Sequence, residues 1–250
     1  MATTPSVVVL VTGEPVPEAK ARRGSFVDLI RQAAPAFGTT RWETYDVREL
    51  EVVPDLTSAL AVIVTGSALS VTDALPWKER VSACLRELVR AEVPLFGICF
   101  GHQLLGYALG GLVSTNPNGR EIGTVSFSVV AEDEVLGAPR SLLVNSTHVD
   151  SVVRLPPGAR VLGHTRQEPH AAVRFGPRAW GVQFHPEIDA DVMRCYFRAR
   201  RPLLQAEGFD LEASERAVQD ALEAAHLIER FLSLARTRWE ALHARSSCAR

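Results

Sequence analysis

The sequence predicts an α/β fold: a mostly parallel central sheet flanked by helices, with an antiparallel strand-rich segment and a helical C-terminus. Three observations predict it. In the first half, short β-branched runs alternate with helical patterns, as βαβ crossovers in a parallel sheet require. In the middle, strand-like runs follow one another without helices between them, which implies antiparallel hairpins. At 250 residues and 46% hydrophobic, the chain has enough apolar surface for one large core. Residues 1–245 are therefore expected to form a single domain, with its core at about 6–188 and a helical segment at about 189–243.

The elements read in order as follows. Residues 7–11, Val-Val-Val-Leu-Val, form a first buried strand, too short for a signal peptide or a membrane span. Residues 25–34 read as a helix, 41–47 and 60–65 as strands, 76–91 as a helix, 95–98 as a strand and 102–109 as a helix. Strands are then expected at 125–130, 142–144, 160–163, 171–175 and 179–184, with a turn at Pro156-Pro157-Gly158. Beyond residue 189 the pattern is helical, and Val218, Ala221, Leu222, Ala225, Ile228, Leu232 and Ala235 repeat at helical spacing. That face is expected to pack on the domain, a partner surface being the alternative. Arg194, Arg198, Arg200 and Arg201 read as a solvated helix face.

Charge and cysteine usage narrow the function classes. A net charge of −2 offers no field for nucleic acid or an anionic membrane. Cys84, Cys99, Cys195 and Cys248 show no C-x-x-C spacing, which points to a reducing compartment and no zinc site. A cytoplasmic protein is expected.

The segment Gly97-Ile98-Cys99-Phe100-Gly101-His102-Gln103 carries most of the functional information. A strand that turns into a helix through G-x-C-x-G is a nucleophile elbow with cysteine at its apex. The flanking glycines let the backbone turn, so the central side chain stands exposed at the strand end. Its sulfur then sits at a helix N-terminus, where unpaired N–H groups and the dipole favour thiolate. The alternative is a cysteine packed as a small hydrophobe, which glycine on both sides disfavours.

A second motif lies downstream, at Trp180-Gly181-Val182-Gln183-Phe184-His185-Pro186-Glu187. In an extended segment residues two apart share a side, so Glu187 is expected to reach the His185 ring. A carboxylate on one ring nitrogen sets the tautomer and leaves the other to exchange protons with a thiol. His-Pro-Glu alone is a weak signal. Following an elbow cysteine, it completes a nucleophile, a base and an orienting acid.

These paired motifs resemble the class I glutamine amidotransferases, which use a Cys-His-Glu triad, and most closely the free-standing members similar to the amidotransferase domain of GMP synthetase. The resemblance covers roughly residues 6–234. It implies a flavodoxin-like sheet, L-glutamine or a γ-glutamyl compound as substrate and, as a possible partner, a separate ammonia-accepting synthetase subunit. Asn116-Pro117-Asn118-Gly119-Arg120-Glu121-Ile122-Gly123 is similar to the loop after the family's elbow helix. Asn145-Ser146-Thr147-His148-Val149-Asp150 stands in place of its Ser-His-Gly-Asp or Asn-His-Gly segment, with Thr147 for Ser or Asn and Val149 for Gly. The family holds the substrate's amino-acid end on that segment, so Thr147, His148 and Val149 are expected at the substrate. Valine lacks the conformations open to glycine, so the local fit is expected to differ.

The chemistry implied is attack by Cys99 on the glutamine amide, a γ-glutamyl thioester, and its hydrolysis. No metal or redox cofactor is needed for such a cycle. Candidate oxyanion donors are Phe100 N–H, next to the nucleophile, and Gly66 N–H at a neighbouring strand end; Gly66 is otherwise a plain turn glycine. Gln103 resembles the family's substrate-contacting glutamine, the alternative being first-turn capping. His102 reads as structural. His148 either faces the pocket or bonds backbone, and Arg120 and Glu121 either pair or fix their loop. Two further readings remain open: a γ-glutamyl peptidase using the same triad, and a catalytically silent binding subunit.

Overall fold

A computed structural model describes residues 5–248, with side chains through residue 244. The chain opens with β1 (Ser6–Val11), α1 (Pro17–Arg23), α2 (Phe26–Gln32), β2 (Arg41–Asp46), β3 (Ala61–Val64), α3 (Lys78–Arg90), β4 (Leu95–Ile98) and α4 (Phe100–Ala108). There follow β5 (Leu112–Thr115), β6 (Glu121–Val129), β7 (Arg140–His148), β8 (Asp150–Arg154), β9 (Arg160–His164), β10 (Ala172–Gly176) and β11 (Ala179–Val182). The end is helical: α5 (Ala190–Ala199), α6 (Arg201–Ala206), α7 (Leu211–Ala217) and α8 (Leu222–Cys248).

Nine strands form one sheet in the order β2-β1-β3-β4-β11-β10-β9-β6-β7. The half from β2 to β11 is parallel, and the half from β11 to β7 is antiparallel. The expected α/β class therefore holds, down to the antiparallel wing. Both faces of the parallel half are covered. Val7, Val9 and Val11 of β1 pack with Ile30, Phe37 and the α8 residues Ile228 and Phe231. Val8 and Leu10, pointing the other way, pack with Leu85 of α3 and Leu104 of α4. This two-residue alternation buries the whole strand and explains its unbroken apolar run.

Several elements depart from the sequence reading. Helix α1 and the small pair β5–β8 have no counterpart in it. The C-terminal helical region is four helices, broken at Arg200, Glu207–Asp210 and Val218–Ala221. In α8 the buried stripe is Ala224, Leu227, Ile228, Phe231, Leu232 and Ala235, while Leu222 is 70% exposed. The apolar face thus packs on the sheet, with Phe231 5.2 Å from Phe96 and 6.0 Å from Trp180, but it is turned away from Leu222.

Sheet order does the positioning. Strand β4 lies between β3 and β11, all three parallel, so the C-terminal ends of three neighbours converge. Gly66 follows β3, Cys99 follows β4 and His185 follows β11. In open α/β sheets that end is where ligands bind.

Candidate active site

Cys99 caps α4 with φ 50° and ψ −101°, one of two non-glycine residues with positive φ among those described. Backbone bonds hold this strained turn. Cys99 N–H donates to Val182 O at 2.8 Å, and Gly101 N–H donates to Thr65 O at 3.1 Å. A Cβ at Gly101 would collide with the Val64 carbonyl oxygen, so only glycine allows the helix start to approach β3. Strain of this kind persists where surrounding structure over-determines it, most often at reactive sites. One expectation needs correction: Cys99 is not an exposed apex but only 5% accessible, at the floor of a cavity of about 440 Å³.

His185 shares a hydrogen bond through Nδ1 with Glu187 Oε1 at 2.8 Å. The route differs from the extended one expected, because β11 ends at Val182 and residues 186–187 form a turn. The turn is pinned by Asn145 of β7, whose carbonyl accepts from His185 N–H at 2.8 Å and whose side-chain amide donates to Ile188 O at 2.9 Å. Phe26 of α2 lies nearly parallel to the imidazole, with centroids 6.0 Å apart and an interplanar angle of 15°. A Cβ on Gly66 would meet His185 Cε1 at 2.8 Å, so a side chain there would displace the ring.

Cys99 and His185 are electrostatically coupled, and each sets the other's charge. Burial pushes the Cys99 thiol up, but the influence of His185, its charge foremost, overcomes that and holds the thiol below its ordinary value. Burial pushes His185 down, and the Glu187 and Cys99 charges outweigh it, raising the ring to about 10. The pair therefore favours thiolate and imidazolium. Cys84, by contrast, is raised to about 11, chiefly by burial. Cys195 is raised as well, again chiefly by burial. The side chain of Cys248 lies outside the described residues.

Gln103, Thr147, His148 and Val149 all line the Cys99 cavity, together with Ser67, Asp150, Arg120 and Arg200. Gln103 Nε2 donates to Asp150 O at 2.8 Å and to Gln183 Oε1 at 3.0 Å. Val149 has no positive φ, so the valine sits there without the strain expected of a glycine position. His148 does both things expected of it as alternatives. It lines the cavity, and its ring contacts Asp150 O at 2.9 Å and Glu121 Oε2 at 3.3 Å. Glu121 does not pair with Arg120, which instead grips Glu207 at 2.7 and 3.0 Å. His102 is buried against Phe175, and burial lowers it to about 3, so it is a neutral core residue.

Phe100 N–H opens α4, where the first amides have no intrahelical acceptor, and Gly66 follows the adjacent strand. The Gly66 carbonyl is turned to Thr12 Oγ1 at 3.2 Å. Both remain candidate oxyanion donors. Sequence reasoning misses three residues at the site. Gln183 Nε2 reaches Cys99 Sγ at 3.5 Å; Phe26 stacks on His185; Arg200 lines the cavity. Gln183 lies within the second motif, but nothing in its spacing marks a contact to sulfur.

The glutamine amidotransferase class-I family matches residues 23–197. The chain belongs to this family. A glutamine amidotransferase-like protein of Schizosaccharomyces pombe is 25% identical over 209 residues, covering 78% of this chain and 84% of that one. One subunit of a glutamine-hydrolysing GMP synthase from Saccharolobus solfataricus is 35% identical over 150 residues, 56% of this chain and 77% of the relative. A glutamine-hydrolysing GMP synthase from Porphyromonas gingivalis is 35% identical over 163 residues, and the match spans only 31% of its length. A glutamine amidotransferase structure from Thermotoga maritima shares the fold, with a TM-score of 0.73, 21% identity and coverage of 93% and 98% of the two chains. No helix of this class-I amidotransferase, among the described residues, is long and apolar enough to cross a membrane.

Proposed function

We propose that this amidotransferase hydrolyses the side-chain amide of L-glutamine to glutamate and ammonia through Cys99, His185 and Glu187. The observation that carries the reading is a cavity-floor thiol held towards thiolate by an imidazole that a carboxylate orients. The Cys99 thiolate attacks the amide carbon, and a C–S bond forms while the carbonyl oxygen gains charge. Phe100 N–H and Gly66 N–H are the donors for that oxygen. His185 gives its proton to the amide nitrogen as the C–N bond breaks, ammonia leaves, and a γ-glutamyl thioester remains. His185 then takes a proton from water, the resulting hydroxide attacks the thioester, and glutamate departs as the thiolate returns. Glu187 keeps the ring oriented and stabilises its cationic form.

The relatives named as GMP synthases, one of them named as a subunit, support the reading that a synthetase partner takes up the ammonia. One observation favours a second reading, cleavage of γ-glutamyl peptides. The cavity of about 440 Å³ is of a size that takes drug-sized ligands, and along its wall at Ser67, Ala68, Leu69 and Ser70 every side chain but Leu69 is small. Release of glutamate from L-glutamine by the purified chain, lost in Cys99→Ala, is the expected result. Far faster cleavage of γ-glutamyl dipeptides than of glutamine would transfer the assignment to the peptidase.

A further inference from the structure

The four arginines around α5 and α6 do not share one environment. Arg198 pairs with Glu18 at 2.7 Å and Arg201 with Glu215 at 3.4 Å. Arg194 is exposed and donates to Val218 O at 2.8 Å. Arg200, at the break between α5 and α6, is half-buried, not part of a solvated face. Its guanidinium donates to Thr147 Oγ1 and lies over the Tyr196 ring at 5.1 Å. It has no carboxylate within ion-pair distance among the described residues. The neighbouring cation in the cavity, Arg120, is already taken by Glu207.

Arg200 also lines two cavities at once. One, of about 440 Å³, holds Cys99; the other, of about 180 Å³, holds His185. Thr147, Ser67 and Ala68 form the rest of the boundary between them. A guanidinium has five N–H donors in a flat fork suited to two carboxylate oxygens, and Thr147 uses one. Burial pushes Arg200 below its ordinary value, the direction expected of a desolvated cation without a counter-ion. The Tyr196 ring and Thr147 hydroxyl hold the fork in place, so little freedom is lost when an anion arrives.

We propose that Arg200 is the carboxylate-binding residue of this site: its unpaired guanidinium, beside both Cys99 and His185, takes a carboxylate of the substrate. The inference rests on the hydrolase reading above for the identity of the substrate, but not for the existence of the anion site. Two carboxylates fit the chemistry, the α-carboxylate of the glutamyl half and one carried by the leaving group.

Binding to the full-length Cys99→Ala chain, which cannot turn substrate over, separates the two and is independent of whether the native chain is a hydrolase. The ligands are L-glutamine and its α-amide, which differ only at the α-carboxylate, and γ-glutamylglycine and γ-glutamyl methylamide, which differ at the leaving-group carboxylate. Adding Arg200→Met is expected to weaken every ligand that carries the recognised carboxylate by about 10- to 100-fold, as for a charge-assisted hydrogen bond, and to leave those that lack it unchanged. Loss for L-glutamine, γ-glutamylglycine and γ-glutamyl methylamide with the α-amide spared assigns the α-carboxylate, and loss confined to γ-glutamylglycine assigns the leaving group. Arg200→Gln carries the same test should Arg200→Met not fold. Equal weakening of all four ligands, no weakening of any, or no binding of any to Cys99→Ala overturns the proposal.

Discussion

At the scale of single residues, the site depends on how a buried thiol is kept reactive. Cys99→Ala is expected to abolish hydrolysis with the fold retained, and His185→Ala to cost on the order of 10⁶ in kcat, as loss of a base in a coupled triad does. Glu187→Gln keeps the base and loses its orientation, so its cost should be smaller, on the order of 10⁴. Equal losses from both would mean that Glu187 does more than orient. The charge coupling predicts a pH signature as well. With His185 present the thiol sits below its ordinary range, so iodoacetamide should alkylate Cys99 with a midpoint below about 8.5. His185→Ala removes the cation but not the burial, so the midpoint should move above that value. An unchanged midpoint would remove the thiolate–imidazolium pair from the mechanism.

At the scale of elements, α8 shows how periodicity and tertiary packing differ. A seven-residue apolar pattern places Leu222 and Ile228 on one face, yet Ile228 is fully buried and Leu222 is 70% exposed. The helix begins at Leu222, which stays exposed while Ala224, in the same turn, is fully buried. Phe231→Ala should therefore destabilise by about 3–5 kcal/mol, and Leu222→Ala by no more than about 0.5 kcal/mol, in denaturant melts. Comparable losses would mean that the helix packs in another register. Elbow and strand ends are legible from sequence because glycine spacing and β-branched runs are local signals. The pair β5–β8 is not, since Leu112–Thr115 gains its stability from pairing with a strand about forty residues on, which no local pattern records.

At the scale of the whole molecule, α8 contributes no residue, among those described, to the cavity that holds Cys99, yet Phe231, Ile228 and Leu232 belong to the same core cluster as Cys99 itself. We propose on this ground that the C-terminal helices belong to the same domain as the sheet. A chain ending at Asp220 should lose its cooperative thermal transition and its activity together. A soluble, cooperatively melting and active fragment would show that the helix is an appendage.

What the sequence determined by itself is the family and the class of fold, with the triad chemistry as the proposal they support. Gly97, Cys99, Gly101, His185 and Glu187 were readable because a nucleophile elbow needs glycines at fixed offsets and because in this chain Glu187 stands two residues from His185. The alternation of strands and helices was readable because period two and period 3.6 are backbone geometry. Tertiary structure decided the rest. The order β3-β4-β11 brings Gly66, Cys99 and His185 together from positions up to about 120 residues apart, and it buries the thiol that local reasoning left exposed. It also sets Phe26 against His185, Gln183 against the sulfur and Arg200 at the cavity wall. Those contacts join residues whose types are ordinary and whose spacing is silent. Only the packing of strand ends against α2 and α5 gives them a partner, because burial and charge depend on what lies across space and not along the chain.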